Sequence, residues 1–463
     1  MLIFRQTDLH DSVRTSAIAV TFVLLVGLSG CATHAHQLEG IRDDYYSGHL
    51  EKSAKTIDQL LAKETKESDA LKLDRAIVEL TSGQPDRAEQ TLRQVRDRLD
   101  HLEQKDAGEQ ALSMIRDDQS VSWSGEDYEK VLVRTFLAIS NLMNGGDDAG
   151  AYALQVDEKQ NQIIAKMEQK RHPNEAELDF KRIALGPYIH AAMTEERHSN
   201  YDDIERSRLK VVSWEEGFRD GKDDLQRARH GRHSEPGNGV VYLFCLVGRG
   251  PYKVEANEIP TQVSMLIVDQ ILSNVLDQTL TPTIAPVKIP VVKPGRSVIS
   301  NVGVIVDGDD IGTTATITNV SEFAVQQSEA NRSEVLARAV VRRTLKKAAA
   351  YAVKSKVNAQ SSPVADIALT VAGIAWEAAE NADTRCWGLL PDQIQVLRVE
   401  LPAGEHQFEL KPLQGGKRVG RSEGLTVQVE DGRNTYLLAT IPDTEFVGEV
   451  VTNFADRKTN VEK

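Results

Sequence analysis

The sequence predicts a multidomain α+β protein, in which a helical N-terminal half is followed by an α+β domain with a β-rich C-terminal end. Between residues 38 and 226, apolar side chains recur at helical spacing. From Val240 onward, short apolar runs rich in β-branched residues alternate with turns. A polar, glycine-containing stretch separates the two patterns. The expected segments are a leader at 1–30, a helical domain at 31–226, a linker at 227–239, an α+β domain at 240–390 and a β-rich segment at 391–463.

The N-terminus carries the features of an export signal. The apolar run from Ser16 to Gly27 is far shorter than the roughly 20 residues that a membrane-spanning helix needs, and such a run near the start is typical of a secretory signal. The next residues, Leu28-Ser29-Gly30-Cys31, resemble the lipobox of bacterial lipoproteins. The resemblance implies cleavage before Cys31 and a diacylglycerol, carrying palmitate-type chains, on its thiol. An ordinary signal peptide with a chance cysteine is the alternative, because the segment before the run lacks a positive excess.

The cellular location and the class of partner follow from the residue after the cysteine and from the charge. Ala32 stands where the lipoprotein family's inner-membrane retention signal would place Asp, so the resemblance favours the outer membrane. It leaves open whether the body faces the periplasm or the cell surface. The net charge of −14 argues against a nucleic-acid partner. The most apolar later stretch, Val364–Ala379, is too short to span a bilayer, so we expect the lipid alone to anchor the chain.

The helical half contains a degenerate turn motif. A glycine precedes an alanine by five positions in Gly83–Ala88 and Gly146–Ala151, and a weaker copy is Gly48–Ser53. Ser199–Ile204 has the same spacing with larger residues. A glycine can end a helix in a left-handed cap, and a small residue lets the next helix pack closely. The motif resembles the tetratricopeptide repeat, whose period is about 34 residues. An irregular helical bundle is the alternative, because only the first step, of 35 residues, fits that period.

The second half predicts strands and helices in mixed order. Val240–Val247 is a continuous apolar run, which predicts a strand covered on both faces. A hairpin turn is expected at Asp307-Gly308, with Val298–Val306 pairing with Thr314–Val320. The remaining elements are helices at Thr261–Leu280, 331–356 and Pro363–Glu380, and strands at Pro286–Val292, Gln393–Leu401, Gln407–Leu410, Leu425–Glu430 and Asn434–Ala439.

Two longer motifs complete the pattern. Tyr242-Leu-Phe-Cys-Leu-Val-Gly-Arg-Gly-Pro251 and Ala382-Asp-Thr-Arg-Cys-Trp-Gly-Leu-Leu-Pro391 follow the lipobox and the helical repeats. In this order they resemble a family of uncharacterised bacterial lipoproteins over most of the mature chain. The resemblance implies the architecture and the exported location. It implies no activity and no catalytic residues.

The loop after the Val240 strand is the preferred candidate for ligand contact. Gly248-Arg-Gly-Pro251 could offer backbone N–H groups to an anion, with Arg249, Tyr252 and the more distant Arg385 as side chains. A strand end that needs glycine dihedral angles is the simpler interpretation. No histidine, cysteine or carboxylate set predicts a metal or cofactor: His230 and His233 stand without a third ligand. Whether Cys245 and Cys386 form a disulfide stays open.

One predicted helix is strongly basic against the overall charge. Within residues 332–356, eight basic residues accompany a single acidic one, and an apolar stripe runs along another face. Such a helix can lie on an anionic membrane or partner through Arg342, Arg343, Lys346 and Lys347, or be the solvated face of a packed helix.

At the level of function, we expect a non-enzymatic scaffold or assembly lipoprotein that binds a protein partner on the concave face of its repeats. An envelope enzyme or ligand sensor with a site near Gly248–Pro251 is the alternative.

Overall fold

The computed structural model describes residues 34–104, 122–170, 180–275, 282, 284–356 and 381–453 and has an α+β architecture, as the sequence predicts. Each N-terminal helix packs against the next one along the chain. The helices of the described N-terminal part are α1 (His34–Tyr46), α2 (Leu50–Leu61), α3 (Ser68–Thr81), α4 (Pro85–Glu103), α5 (Asp127–Met143), α6 (Ala149–Lys170), α7 (Leu185–Glu196), α8 (Tyr201–Trp214) and α9 (Gly221–Arg229).

The C-terminal part contains two main sheets and a two-stranded ribbon. The five-stranded central sheet has the order β12-β11-β1-β7-β6, the outer sheet has the order β10-β8-β4-β5 with β9 beside β8, and β2 pairs with β3. The strands are β1 (Asn238–Val247), β2 (Tyr252–Glu258), β3 (Val287–Lys293), β4 (Asn301–Val306), β5 (Asp309–Thr313), β6 (Ala315–Asn319), β7 (Gln393–Pro402), β8 (Gly404–Gln414), β9 (Lys417–Arg418), β10 (Glu423–Val429), β11 (Asn434–Ile441) and β12 (Val451–Thr452). The helices are α10 (Gln262–Val275), α11 (Val320–Ala330) and α12 (Arg332–Lys356).

The central sheet is the middle of three layers. Along β1, side chains alternate between its faces: Tyr242 and Phe244 join the core shared with the helices, whereas Leu243 and Cys245 join the core shared with the outer sheet. The prediction that this strand is covered on both faces is therefore confirmed. β1 pairs in parallel with β11 and antiparallel with β7, so the last hundred residues contribute both of its neighbours.

A smaller core holds the ribbon unit, which we define as β2, β3, α10 and α12. Val268 and Leu272 of α10 pack with Ile289 of β3 and with Leu336 and Val340 of α12. The apolar stripe of the basic helix thus packs on other parts of the same unit. Asn331, the first residue of the helix predicted at 331–356, lies between the two helices: it caps the end of α11, and its carbonyl accepts the Val335 N–H of α12 at 3.0 Å.

Two local predictions about the second half were tested by the strand pairing. Asp307 and Gly308 form the hairpin turn between β4 and β5, and both have positive φ, as a two-residue turn of type I′ requires. The expected partner of β4 was wrong: its hairpin partner is β5, while the residues from Ala315 pair with β7 in the central sheet. The short strand β5 is polar and exposed, so it lacks the apolar pattern that predicted the other strands.

The turns of the helical half follow the predicted motif at two positions and differ at the third. Gly48 and Gly83 have φ values of 80° and 73°, and Ser53 and Ala88 are fully buried five residues later. In the third turn the left-handed residue is Gly145 rather than Gly146, and Ala151 is exposed. Residues 227–239, expected to form a linker, contain the end of α9, the start of β1 and the buried His233.

Helix length and apolarity were also compared with the needs of a bilayer. None of the helices in the described ranges is both long enough and apolar enough to cross a membrane. Cys31 and the predicted helix at Pro363–Glu380 lie outside the described residues.

Candidate functional site

The helices of the N-terminal part differ in how far they are buried. The inner helices, α3, α5 and α7, are buried on nearly every side, whereas the outer helices, α2, α4, α6 and α8, are buried along one stripe only. Asn434 of β11 donates its amide to the carbonyl of Ala192 on α7 at 2.9 Å. Tyr242 of β1 donates its hydroxyl to Glu195, also on α7, at 3.4 Å. The inner helix α7 therefore packs against the central sheet.

The densest of these contacts involve residues 385–389, which we call the docking segment. Its backbone N–H groups donate to two buried carboxylates of the helical half: Trp387 to Glu129 at 2.7 Å, and Leu389 to Asp74 at 2.8 Å. The Trp387 indole is completely buried, and its ring centroid lies 5.3 Å from that of Phe136 on α5. The segment thus sits on the inner helices in the way that an extended peptide sits in a groove.

Glu129 is the buried acid at the centre of this contact. Its carboxylate also accepts the N–H of Glu126 at 2.6 Å, which completes the capping box of α5, and the Tyr128 hydroxyl at 3.3 Å. Burial raises the pKa of this carboxyl to about 7, although the Lys253 ammonium nearby opposes the shift. Lys253 is itself buried and pairs with Glu126. A titratable group therefore joins the helical half to the docking segment.

This raised pKa predicts a pH-dependent stability that Glu129→Gln removes. The folded protein holds the proton up to about pH 7, whereas an ordinary Glu loses it near 4.5, so the stabilisation is present below pH 4.5 and is lost as pH rises through 7. We expect the free energy of unfolding of the native protein, minus that of Glu129→Gln, to fall by about 3 kcal/mol between those values. Urea titrations at several pH values measure it, and a constant difference would contradict the assignment.

The glycine-rich loop after β1 uses its backbone donors within the chain. The N–H groups of Gly248, Arg249 and Gly250 donate to the carbonyls of Ile441, Arg296 and Leu390 at 2.9, 2.9 and 2.8 Å. A side chain at Gly250 would also collide with the backbone of Leu390, because a Cβ there would lie 2.2 Å from the carbonyl oxygen. The N–H groups considered for anion binding are therefore already bonded within the chain, and close packing explains the glycine at position 250.

The three side chains proposed for ligand contact do not form one site. Arg249 pairs with Asp443 and lies 4.5 Å above the Tyr46 ring, and Arg42 lies between the rings of Tyr46 and Tyr252, which is 40 % exposed. Arg385 is 3 % exposed and belongs to the docking segment. It pairs with Asp383 and donates to the Lys66 carbonyl at 3.1 Å. Arg249 and Tyr252 are thus neighbours in one stack, and Arg385 is a buried structural cation elsewhere.

Two small cavities border these groups. One of about 10 Å³ lies between Tyr46, Gly248 and Pro391, and one of about 30 Å³ lies beside Lys253 and Gln327. Small-molecule sites usually enclose about 300 Å³ or more, whereas a single water needs about 10–15 Å³. Both cavities are therefore of the size that water molecules fill. The two polar atoms of the buried Gln327 amide have no hydrogen-bond partner among the described residues, which suits water in the larger cavity.

The cations of the basic helix α12 do not form a freely solvated face. Arg342 is 4 % exposed, so its guanidinium is not available to a membrane or partner in this conformation. Arg343 donates to the carbonyls of Ala285 and Pro286. Lys346 and Lys347 also have interactions within the chain. Any surface role of this helix therefore depends on its net charge rather than on four unengaged cations.

Two histidines and the two described cysteines occupy structural positions. His233, in the segment predicted as a linker, is 2 % exposed and lies 2.8 Å from the Asn434 amide oxygen. His406 is partly buried and pairs with Asp307 of the hairpin turn. Cys245 and Cys386 are buried free thiols. Within the described ranges, no group of three or more His, Cys, Asp or Glu side chains is arranged to hold a metal ion.

The sequence analysis missed the buried carboxylates that hold the two halves together. Asp74 and Glu129 lie on helices that are buried on nearly every side, and both are completely buried. A carboxylate is rarely buried without a partner. In both cases the residues three and four positions later are apolar, so an acidic residue on the apolar stripe of a predicted helix was the available signal that another segment would supply a partner.

Comparisons with protein-family models, with curated proteins and with solved structures find no match to this chain. The resemblance to a lipoprotein family thus stays a prediction from the sequence motifs.

Proposed function

We propose that this chain is a lipid-anchored protein of the bacterial envelope, favoured for the outer membrane, that acts as a non-enzymatic scaffold. The lipobox-like Leu28–Cys31 motif supports the anchor. The observation that supports the scaffold role is that the inner helices contact the docking segment and the central sheet, whereas the outer helices each keep a side that is not buried. The internal contacts of Arg249 and Arg385 favour this function over an enzyme or sensor at the Gly248–Pro251 loop.

We further propose that the pairs α1–α2, α3–α4, α5–α6 and α7–α8 are diverged tetratricopeptide-like repeats. Consecutive helices pack along the whole series, and α5 also packs against α7, as the first helices of adjacent repeats do. The 53-residue step from Gly146 to Ser199 has a local reason, because α6, which is 22 residues long, lies between these two turns. The left-handed Gly48 and Gly83 support the first two pairs.

The partner surface is proposed to lie on the outer helices α6 and α8. Leu154 and Leu209 are 51 % and 42 % exposed, the two large apolar side chains so exposed among the described residues of the helical half. An ion pair of 2.7 Å between Lys210 and Asp157 joins the two helices, and both leucines lie within three residues of it. Apolar side chains around a polar junction are a common composition of protein interfaces.

Site-specific photocrosslinking in the native envelope tests the scaffold. A benzoylphenylalanine replacing Leu154 or Leu209 should give one discrete high-mass adduct with a protein. The matched control replaces Ile311, which is 41 % exposed on β5 of the outer sheet. Adducts absent at both leucines, or identical at all three positions, would refute a partner on this face.

The anchor is tested separately through Cys31→Ser. We expect the variant to lose incorporation of an alkyne-tagged palmitate and to leave the membrane fraction, because several acyl chains supply the attachment. Cys245→Ser is the control, since that thiol is completely buried. Unchanged lipid incorporation in Cys31→Ser would disprove the lipobox assignment.

A further inference from the structure

Exposed apolar side chains are concentrated on the ribbon unit. Ile259, Ile284 and Leu266 are 68, 72 and 40 % exposed, and Tyr252 is 40 % exposed. These four are among seven large apolar side chains that are exposed in the described part of the chain. Single exposed apolar residues are ordinary on a protein surface, but several within one unit mark an interaction site.

Three of them lie at one end of the ribbon, and we call Ile259, Leu266 and Ile284 the apolar tip. The last pair of the ribbon joins Glu258 to Val287. Ile259 follows Glu258 directly, and Ile284 precedes Val287 by three residues. Leu266 lies in the second turn of α10, which begins three residues after Ile259. The register therefore places the end of β2, the start of β3 and the start of α10 at the same end of the ribbon.

The charge of the ribbon unit is opposite to that of the protein. Its four elements hold eleven Lys and Arg residues against four Asp and Glu residues, a net charge of +7 in a chain of net charge −14. This net charge already includes ion pairs within the unit, such as Arg332 with Glu258. A basic body with an apolar tip matches an anionic bilayer surface, which attracts cations and takes up apolar side chains.

The first described helix, α1, contacts this unit. Arg42 of α1 stacks on Tyr252, the first residue of the ribbon, with 5.4 Å between the guanidinium carbon and the ring centroid. Eight residues, or about 12 Å of helix, separate Arg42 from the start of α1 at His34. Cys31 precedes His34 by three residues. A lipid on that cysteine keeps the ribbon unit near the membrane.

We propose that the ribbon unit is a second membrane contact, in which the apolar tip enters the headgroup region of an anionic leaflet while the basic elements lie against its surface. The proposal rests on the lipid anchor proposed above. Its occupant is the bilayer rather than a protein, because the unit combines apolar exposure with a charge that opposes that of the rest of the chain. The contact would orient the body so that the outer helices have a fixed direction relative to the membrane.

The test uses the full lipidated protein in vesicles of phosphatidylethanolamine and phosphatidylglycerol. An environment-sensitive nitrobenzoxadiazole label is attached at Ile284→Cys or Ile259→Cys, since Cys245 and Cys386 are buried and Cys31 carries the lipid. We expect a blue-shifted emission and several-fold stronger quenching by lipid-borne nitroxide than at the matched control Leu154→Cys on α6. Pure phosphatidylcholine vesicles should give weaker quenching, because they lack the anionic charge.

Each of the other possible results of this experiment refutes one stated part of the proposal. A label at 284 and 259 that stays in water, on protein that floats with the vesicles, refutes the second contact and leaves the anchor intact. Protein that does not float refutes the anchor itself. Equal quenching in both vesicle types refutes the role of the basic charge. A label already shielded without vesicles refutes membrane contact: gel filtration then tells a second copy from coverage by the chain's own residues 357–380.

Discussion

Replacing Trp387 by alanine should lower the free energy of unfolding by about 3–5 kcal/mol, the usual cost of removing a large buried aromatic side chain. The indole is completely buried between the helical half and the central sheet and packs on Phe136. Its loss leaves a cavity that neither half can close alone, because the backbone on both sides is held by the Glu129 and Asp74 hydrogen bonds. Urea unfolding followed by far-ultraviolet circular dichroism measures the change.

Trp387→Phe is the matched variant at the same position. The indole Nε1 is buried and has no hydrogen-bond partner among the described residues, so replacing it by a hydrocarbon removes an unsatisfied donor. We expect a loss below about 1.5 kcal/mol, since the gain offsets part of the lost volume. A phenylalanine variant as unstable as the alanine variant would mean that the indole N–H is bonded in solution.

Replacing Arg208 by alanine is the second change with a large expected effect, again about 3–5 kcal/mol. The guanidinium is completely buried, donates to Glu195 at 3.1 and 3.0 Å and to Asp224 at 3.2 Å, and lies 4.8 Å from the Tyr188 ring centroid. The Glu195 side chain is 1 % exposed in the native protein. After the removal of Arg208, its nearest remaining cation is Arg227. The cost arises from the buried carboxylates that lose their partner, more than from the lost attraction itself.

Arg206→Ala on the same helix is the control. Its side chain is 70 % exposed and pairs with Asp203 at 3.2 Å, so we expect a change within about 0.5 kcal/mol. The same unfolding titrations compare the two variants, and equal losses would show that α8 responds to any truncation.

The loss of stability in acid gives an independent check of the Arg208 contacts. Burial would raise the pKa of Glu195, but Arg208 and Arg227 lower it to about 2, so this stabilisation is present above pH 4.5 and is lost as pH falls towards 2.

The helical half could be predicted in part because turns and helices are local. A left-handed glycine and a small residue five positions later are read from one segment, so Gly48 and Gly83 were found. The third turn was misplaced by one residue because two adjacent glycines, Gly145 and Gly146, both suit a helix end. Only the packing, which leaves Ala151 exposed, decides between them.

The contacts of the candidate ligand residues could not be predicted from the local sequence. Arg249 and Arg385 were proposed as side chains that accompany the backbone N–H groups of the glycine-rich loop, but in the structure they pair with Asp443 and Asp383. The partner of Arg249 lies 194 positions away in the sequence, and no periodicity links the two residues. The buried acids Asp74 and Glu129 were overlooked for the same reason, since their partners are backbone N–H groups of a distant segment.

By itself the sequence determined the α+β class, the order of the helical and strand-rich halves, the two-sided burial of β1 and the turn at Asp307-Gly308. These depend on side-chain periodicity and on local dihedral preferences. Only the tertiary structure decided that the docking segment fills the inner face of the helices, and that the apolar tip and the basic helix share one unit. Such contacts join residues that are far apart in the chain. Their energies depend on which surfaces pack together, and local sequence patterns do not predict that packing.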